Sequence, residues 1–81
     1  MAETQIVVYG TSWCGATRRC RSFIESCGIV YRWVDIDRDA EAGRFVEQVN
    51  HGYRSVPTII FPDGSILVEP SDEQLRKKLG R

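Results

Sequence analysis

The residues of this chain best suited to covalent chemistry are its three cysteines, at positions 14, 20 and 27. Their surroundings differ. Cys14 ends the stretch Gly10-Thr11-Ser12-Trp13-Cys14, which joins an apolar run to an amphipathic one. A cysteine at such a junction stands at the start of a helix. There the unpaired backbone N–H groups and the positive end of the helix dipole favour a thiolate. Cysteine pKa values fall below about 8.5 in these positions. Thr17, three residues on, can turn its hydroxyl toward the sulfur, and Trp13 would flank it with an aromatic wall. Arg18 and Arg21 follow on roughly the same side and would add to the positive field. This is the environment of a nucleophilic thiol. The competing reading is a small core residue that happens to follow a strand.

Helical periodicity separates the other two cysteines from Cys14. Ala16, Cys20, Phe23, Ile24 and Cys27 make one apolar stripe at helical spacing. Cys14 falls on the opposite side of the wheel, at about 100° per residue. Cys20 and Cys27 therefore read as structural. Six helical residues span about 9 Å, whereas the Cα atoms of a disulfide lie within about 7 Å. A Cys14–Cys20 bond would require the first turn to unwind, which leaves Cys20 as a secondary thiol at most.

The elements that must position Cys14 follow from the apolar pattern. The run 5–10 (QIVVYG) reads as a central strand buried on both faces. Residues 14–27 form a helix, with Gly28 at its left-handed cap. Residues 29–36 (IVYRWVDI) are β-branched and aromatic, a second strand. Asp37 or Asp39 caps a second helix whose buried stripe is Ala42, Phe45, Val46 and Val49, and Gly52 ends it. Residues 56–61 and 65–68 are strands joined through Pro62-Asp63-Gly64, and so short a turn requires antiparallel pairing. Ser71 opens a third helix, with Gln74 completing a capping box. Leu75 and Leu79 face inward, and Gly80 closes the helix. The order βαβαββα predicts an α/β fold. The first two strands are parallel through a right-handed crossover, and helices cover both faces of a four-stranded mixed sheet.

Size and composition restrict the function. Eighty-one residues make a single domain, 1–81, with one modest core. Eleven basic and eleven acidic residues balance, and no basic run marks a nucleic-acid or membrane surface. There is no apolar run near 18 residues and no signal-peptide pattern, so the expected compartment is the cytoplasm. An odd number of cysteines does not suit a disulfide framework. One His and three scattered cysteines give no metal-ligand spacing, and no metal is expected.

The strand–SWC–helix start, Arg54-Ser55-Val56-Pro57-Thr58, and FPDGS at 61–65 followed by EPSDEQL resemble the glutaredoxin family of the thioredoxin-like fold, closest to the small mycoredoxin-type proteins. The resemblance spans nearly the whole chain. It implies a thiol–disulfide oxidoreductase of cell redox homeostasis and electron transport. Cys14 would be catalytic, with Trp13, Thr17 and Pro57 as active-site support. Pro57 would be a cis proline facing Cys14; the alternative is an ordinary strand-start proline. The Val56 backbone would pair with a bound cysteinyl ligand. Ser71 and Asp72 would bind a carboxylate through their N–H groups. Arg54 would help bind an anionic thiol, or else be a solvated arginine. The implied co-substrate is glutathione or a related low-molecular-weight thiol, the partners are that thiol and oxidised client proteins, and the protein would be a monomer.

Departures from the family pattern bear on the mechanism. The dithiol Cys-x-x-Cys reads Cys14-Gly15-Ala16-Thr17 here, so a hydroxyl stands where the resolving thiol would be. This resembles the monothiol pattern and implies a one-cysteine cycle. The same resemblance leaves two alternatives: a carrier of an iron–sulfur cluster shared with glutathione, and a redox-inactive binding module. The Lys that many members carry three residues before the active cysteine is Thr11. The Gly-Gly pair before the third helix is Glu69-Pro70, and Glu69 is placed to alter which small thiol is accepted.

Overall fold

In the computed structural model, residues 5–80 are described; positions 1–4, where a leader pattern was sought, lie outside that range. The element order is β1 (Ile6–Gly10), α1 (Gly15–Ser26), β2 (Tyr31–Asp35), α2 (Ala40–Val49), β3 (Thr58–Ile60), β4 (Ile66–Val68) and α3 (Asp72–Leu79). The strands form one mixed sheet in the order β2-β1-β3-β4. β1 pairs parallel with β2 and antiparallel with β3, and β3 pairs antiparallel with β4. This is the four-stranded mixed sheet predicted from the element order, and the thioredoxin-like architecture that the resemblance implies.

Alternation along β1 divides the core between the two faces of the sheet. Ile6 and Val8 pack with Cys20 and Ile24 of α1, Ile59, Phe61 and Leu75 of α3. Val7, on the other face, packs with Val34, Ile36, Ala42 and Val46 of α2. Thus α1 and α3 share one face and α2 covers the other. No helix among the described residues is long and apolar enough to cross a membrane.

The elements are shorter than the apolar runs, for local reasons. Ile29 is taken into the end of α1, where Gly28 has φ 72° and the N–H groups of Gly28 and Ile29 return to the carbonyls of Glu25 and Ile24. That pattern satisfies the last helical carbonyls and places Ile29 against Ile24. Strand β3 starts only at Thr58, because Pro57 has no N–H to give a ladder. Ser65 drops out of β4 because its N–H and hydroxyl both bond to Asp63. Asp39, not Asp37, caps α2, accepting from the Ala42 N–H at 3.0 Å. At the other end of α2, His51 rather than Gly52 takes the first left-handed position (φ 57°), and the Gly52 N–H returns to Glu47 at 2.7 Å.

Candidate active site

Cys14 occupies the N-cap of α1 with extended backbone angles, φ −79° and ψ 121°. Its carbonyl accepts from the Arg18 N–H at 3.0 Å, and its own N–H donates to Thr11 at 3.4 Å. The sulfur stands before the open first turn. The Thr17 hydroxyl, followed by the backbone N–H groups of Thr17 and Ala16, holds the Cys14 thiol below its ordinary pKa, against an opposing push from partial burial and the Glu69 carboxylate. The stabilisation is that expected at a helix start, but its leading contributor is the threonine side chain.

Thr17 is fully buried, and its hydroxyl has no conventional hydrogen-bond partner among the described residues. An ionised sulfur supplies the missing acceptor. Thr17 fits there because β1 ends in glycine: a Cβ on Gly10 would stand 2.6 Å from the Thr17 methyl. The strand end and the first helical turn are thus fitted to one another at the residue that faces the thiol.

The second wall comes from the loop before β3. The Val56–Pro57 bond is cis, and Pro57 is buried. The Cys14 sulfur lies 3.9 Å from the Val56 carbonyl oxygen, within reach of a weak S–H bond. Thr58 pins this loop from below. Its hydroxyl donates to the Ser55 carbonyl at 2.7 Å and accepts from the Asn50 side-chain amide at 3.1 Å. The third wall is the turn before α3, tied in by the Glu69 N–H donating to the Pro57 carbonyl at 2.9 Å. Glu69 has φ 48°, a left-handed conformation that costs a residue with a Cβ about 1 kcal/mol or more.

The other anticipated residues fall at different distances from this centre. Ser71 caps α3, but its own N–H is taken by the Gln74 side chain at 2.8 Å, so the capping box consumes one of the two N–H groups expected for a ligand. Asp72 begins α3 close enough to Cys20 to act on its thiol electrostatically. Arg54 is engaged by other partners. Its guanidinium lies 3.9 Å from Asp37 and 3.8 Å from Glu47, and donates to the Ile36 carbonyl at 3.4 Å. Trp13 is 71% exposed, with its indole N–H donating to Asp37 at 2.8 Å. Arg21 is also drawn away, stacking 4.0 Å from the centre of the Trp33 ring and donating to the Tyr31 hydroxyl.

Cys20 is in the core, 1% exposed, with its sulfur 3.8 Å from the Pro70 carbonyl oxygen. Burial pushes its pKa up to about 11, the opposite of Cys14. Cys27 is the half-buried C-cap of α1.

Three participants escaped the sequence reading. Asp37 was visible only as a rival helix cap. Gly43 sits mid-helix, where glycine is unfavourable, and that cost was the available signal: a Cβ there would stand 2.7 Å from the Arg54 Nη1. Asn50 gave no signal, since its contact with Thr58 depends on how α2 packs on the sheet.

Comparison with known proteins fits this geometry. The family model described as Glutaredoxin matches residues 6–66. A Mycobacterium tuberculosis protein named "Putative glutaredoxin" is 40% identical over 79 residues, covering 98% of this chain and 94% of its own. Mycoredoxin 1 of Corynebacterium glutamicum is 35% identical over 77 residues, 94% of each chain. Among solved structures, the thioredoxin-like protein BC3987 aligns with a TM-score of 0.78 at 25% identity, covering 90% of this chain and 97% of its own. The glutaredoxin of Archaeoglobus fulgidus shares the fold, with a TM-score of 0.76 at 24% identity over 94% and 86% of the two chains. With a thiol-bearing helix start facing a Val–cis-Pro loop on this sheet, the chain belongs to the glutaredoxin family of redox proteins.

Proposed function

We propose that the protein is a thiol–disulfide oxidoreductase that works with one cysteine. The Cys14 thiolate attacks the small-thiol sulfur of a mixed disulfide between that thiol and a client protein. The bond to the client sulfur breaks, and the client leaves as a thiolate that takes up a proton. A second small thiol, as its thiolate, then attacks the Cys14 mixed disulfide. This releases the small-thiol disulfide and restores the Cys14 thiolate, so each turnover converts one mixed disulfide and one incoming small thiol into the free client thiol and the small-thiol disulfide. Attack rate follows thiolate fraction and access. Val56 pairs with the cysteinyl part of the small thiol, a role supported by the nearness of its carbonyl oxygen to the Cys14 sulfur, with Pro57 holding the turn behind it. The N–H of Asp72 remains for a carboxylate or carbonyl of that ligand.

The observation that carries this reading is the contrast between the thiols: Cys14 is depressed and half-exposed, Cys20 raised and buried. Thr17 occupies the resolving position and serves the thiolate, so a one-thiol cycle needs no further group. The commitment of Arg54 to two carboxylates, with Glu69 near the sulfur, favours a small thiol of low negative charge over a polyanionic one.

A variant retaining Cys14 alone, Cys20→Ala/Cys27→Ala, tests the mechanism. It should reduce a peptide mixed disulfide of glutathione or of an uncharged sugar thiol within about twofold of the wild-type rate. Mass spectrometry should find the small thiol on Cys14. Loss of turnover in that variant would establish a second required thiol. Anaerobic reconstitution with iron and sulfide should leave the protein colourless; a stable visible chromophore would replace this reading with the cluster-carrier one.

A further inference from the structure

Trp13 combines two properties that seldom occur together. Most of its surface is open to solvent, yet its one polar atom is engaged across 24 residues with Asp37. An exposed indole without a tether samples several rotamers. Here the ring beside Cys14 is anchored at its tip and free on its faces, an arrangement suited to an aromatic that receives a ligand.

Asp37 is itself held from behind. One carboxylate oxygen takes the Trp13 N–H at 2.8 Å, and the other faces the Arg54 guanidinium at 3.9 Å. Arg54 is fixed in turn by the Ile36 carbonyl and Glu47, over a seat that exists because residue 43 has no side chain. The loop carrying Cys14, the turn after β2 and the approach to Val56–Pro57 are thereby joined through side chains. The fold gains little from this. The ion pairs are long and half-exposed, a class worth little to stability, and α2 takes its cap from Asp39 instead.

We propose that Asp37 is a positioning residue for the small-thiol site, holding the Trp13 ring as a preset wall beside Cys14, and that Arg54 acts by orienting Asp37 and not by binding the thiol. This rests on the oxidoreductase reading and adds a specificity device to it. An anchored ring spares the ordering of a mobile side chain on binding. The consequence falls on KM, with the chemistry at the sulfur left alone.

The test uses the full chain and a glutathionylated peptide as substrate. Asp37→Ala should raise KM about threefold to tenfold, with kcat and the Cys14 alkylation rate by iodoacetamide within twofold. Asp37→Asn keeps an acceptor for the indole but loses the Arg54 ion pair, so its KM should match that of Arg54→Met and stay below that of Asp37→Ala; a KM equal to that of Asp37→Ala would show that the indole contact is not what matters. In a Trp13→Phe background, Asp37→Ala should add nothing further, as expected of residues acting through one another. Arg54→Met should raise KM in the wild-type background and have no effect in Asp37→Ala. An unchanged KM in Asp37→Ala, or an equal penalty with and without the indole, would overturn the proposal. An Arg54→Met penalty that persists without Asp37 would make Arg54 a direct ligand group and overturn its part. If the wild-type protein turned over no mixed disulfide, the oxidoreductase reading would fail instead. The Trp13 indole N–H resonance would then decide the positioning role: Asp37→Ala and Arg54→Met should move it to the position of a free indole, and its invariance would refute that role.

Discussion

Cys14 and Cys20 lie six residues apart, one at the cap of α1 and one within it, and the protein moves their thiols in opposite directions. At the cap, N–H groups without helical partners and the Thr17 hydroxyl face the sulfur. One and a half turns further on, every N–H is already committed to the helix, and the Cys20 sulfur meets the packed residues of β1, β3 and α3. The difference lies in position along the helix and not in the residue. A thiolate is stabilised by donors that have nothing else to bond, and a helix offers these only in its first turn.

The sharpest break of that symmetry is deletion of each sulfur. Cys14→Ser should reduce mixed-disulfide turnover by about a thousandfold or more, since the attacking atom is gone. Cys20→Ala should leave turnover within about twofold and lower stability by about 1 kcal/mol through lost packing. The pair is read by steady-state kinetics and urea unfolding. Equal loss of activity in both would dissolve the contrast.

Thr17→Val comes next. The side chain keeps its shape, and the hydroxyl that leads the stabilisation of the thiolate is removed. The pH midpoint of Cys14 alkylation should rise, with alkylation at neutral pH falling about threefold or more. Stability should hold or increase, because a buried hydroxyl with no conventional partner is replaced by a methyl group. A variant that lost both reactivity and stability would show that Thr17 mainly supports packing.

The contrast also predicts opposite pH dependences of folding. The unfolded chain has thiols near 9.0, and burial places folded Cys20 at about 11. Its neutral form is the folded one. The Cys20 contribution is therefore complete below about pH 9 and is lost as pH rises toward 11. Folded Cys14 is depressed, so its contribution runs the other way. It is present above the unfolded value and disappears as pH falls through the folded one. Urea midpoints for wild type, Cys14→Ser and Cys20→Ala across neutral to alkaline pH should separate accordingly. Parallel curves would remove the electrostatic distinction.

Much of this arrangement was legible in the sequence because it is local. The helical stripe assigned Cys20 and Cys27 to the buried side, the α1 start exposed Cys14, and Ser71 with Gln74 announced the capping box that the structure contains. The cis form of Val56–Pro57 followed from the resemblance alone. What stayed hidden depends on side chains that meet across elements. Arg54 is identified by sequence as a cation near the site, but only the packing of α2 reveals that Asp37 and Glu47 engage it. Arg21 has the right helical phase to serve Cys14, yet a longer reach brings it to the rings of β2, where it stacks. Flexible arginines choose among partners that periodicity cannot rank.

Glu69 gives the smallest and most separable effect. It adopts a left-handed conformation at φ 48°, and its carboxylate opposes ionisation of Cys14. Two costs are therefore combined in one residue, and two substitutions divide them. Glu69→Gln keeps the Cβ and the conformation but removes the charge. It should lower the alkylation midpoint of Cys14 without changing stability. Glu69→Gly removes both. Release of a cost of about 1 kcal/mol is partly offset by the greater freedom of glycine in the unfolded chain. A net gain of about 0.5 kcal/mol remains, or roughly 2–4 °C in Tm for a domain of this size. If Glu69→Gly were no more stable than Glu69→Gln, the turn would not be strained and the carboxylate would be the whole effect. If both left the alkylation midpoint in place, the charge would be too well solvated to act on the sulfur, and Glu69 would govern only the path of the chain into α3.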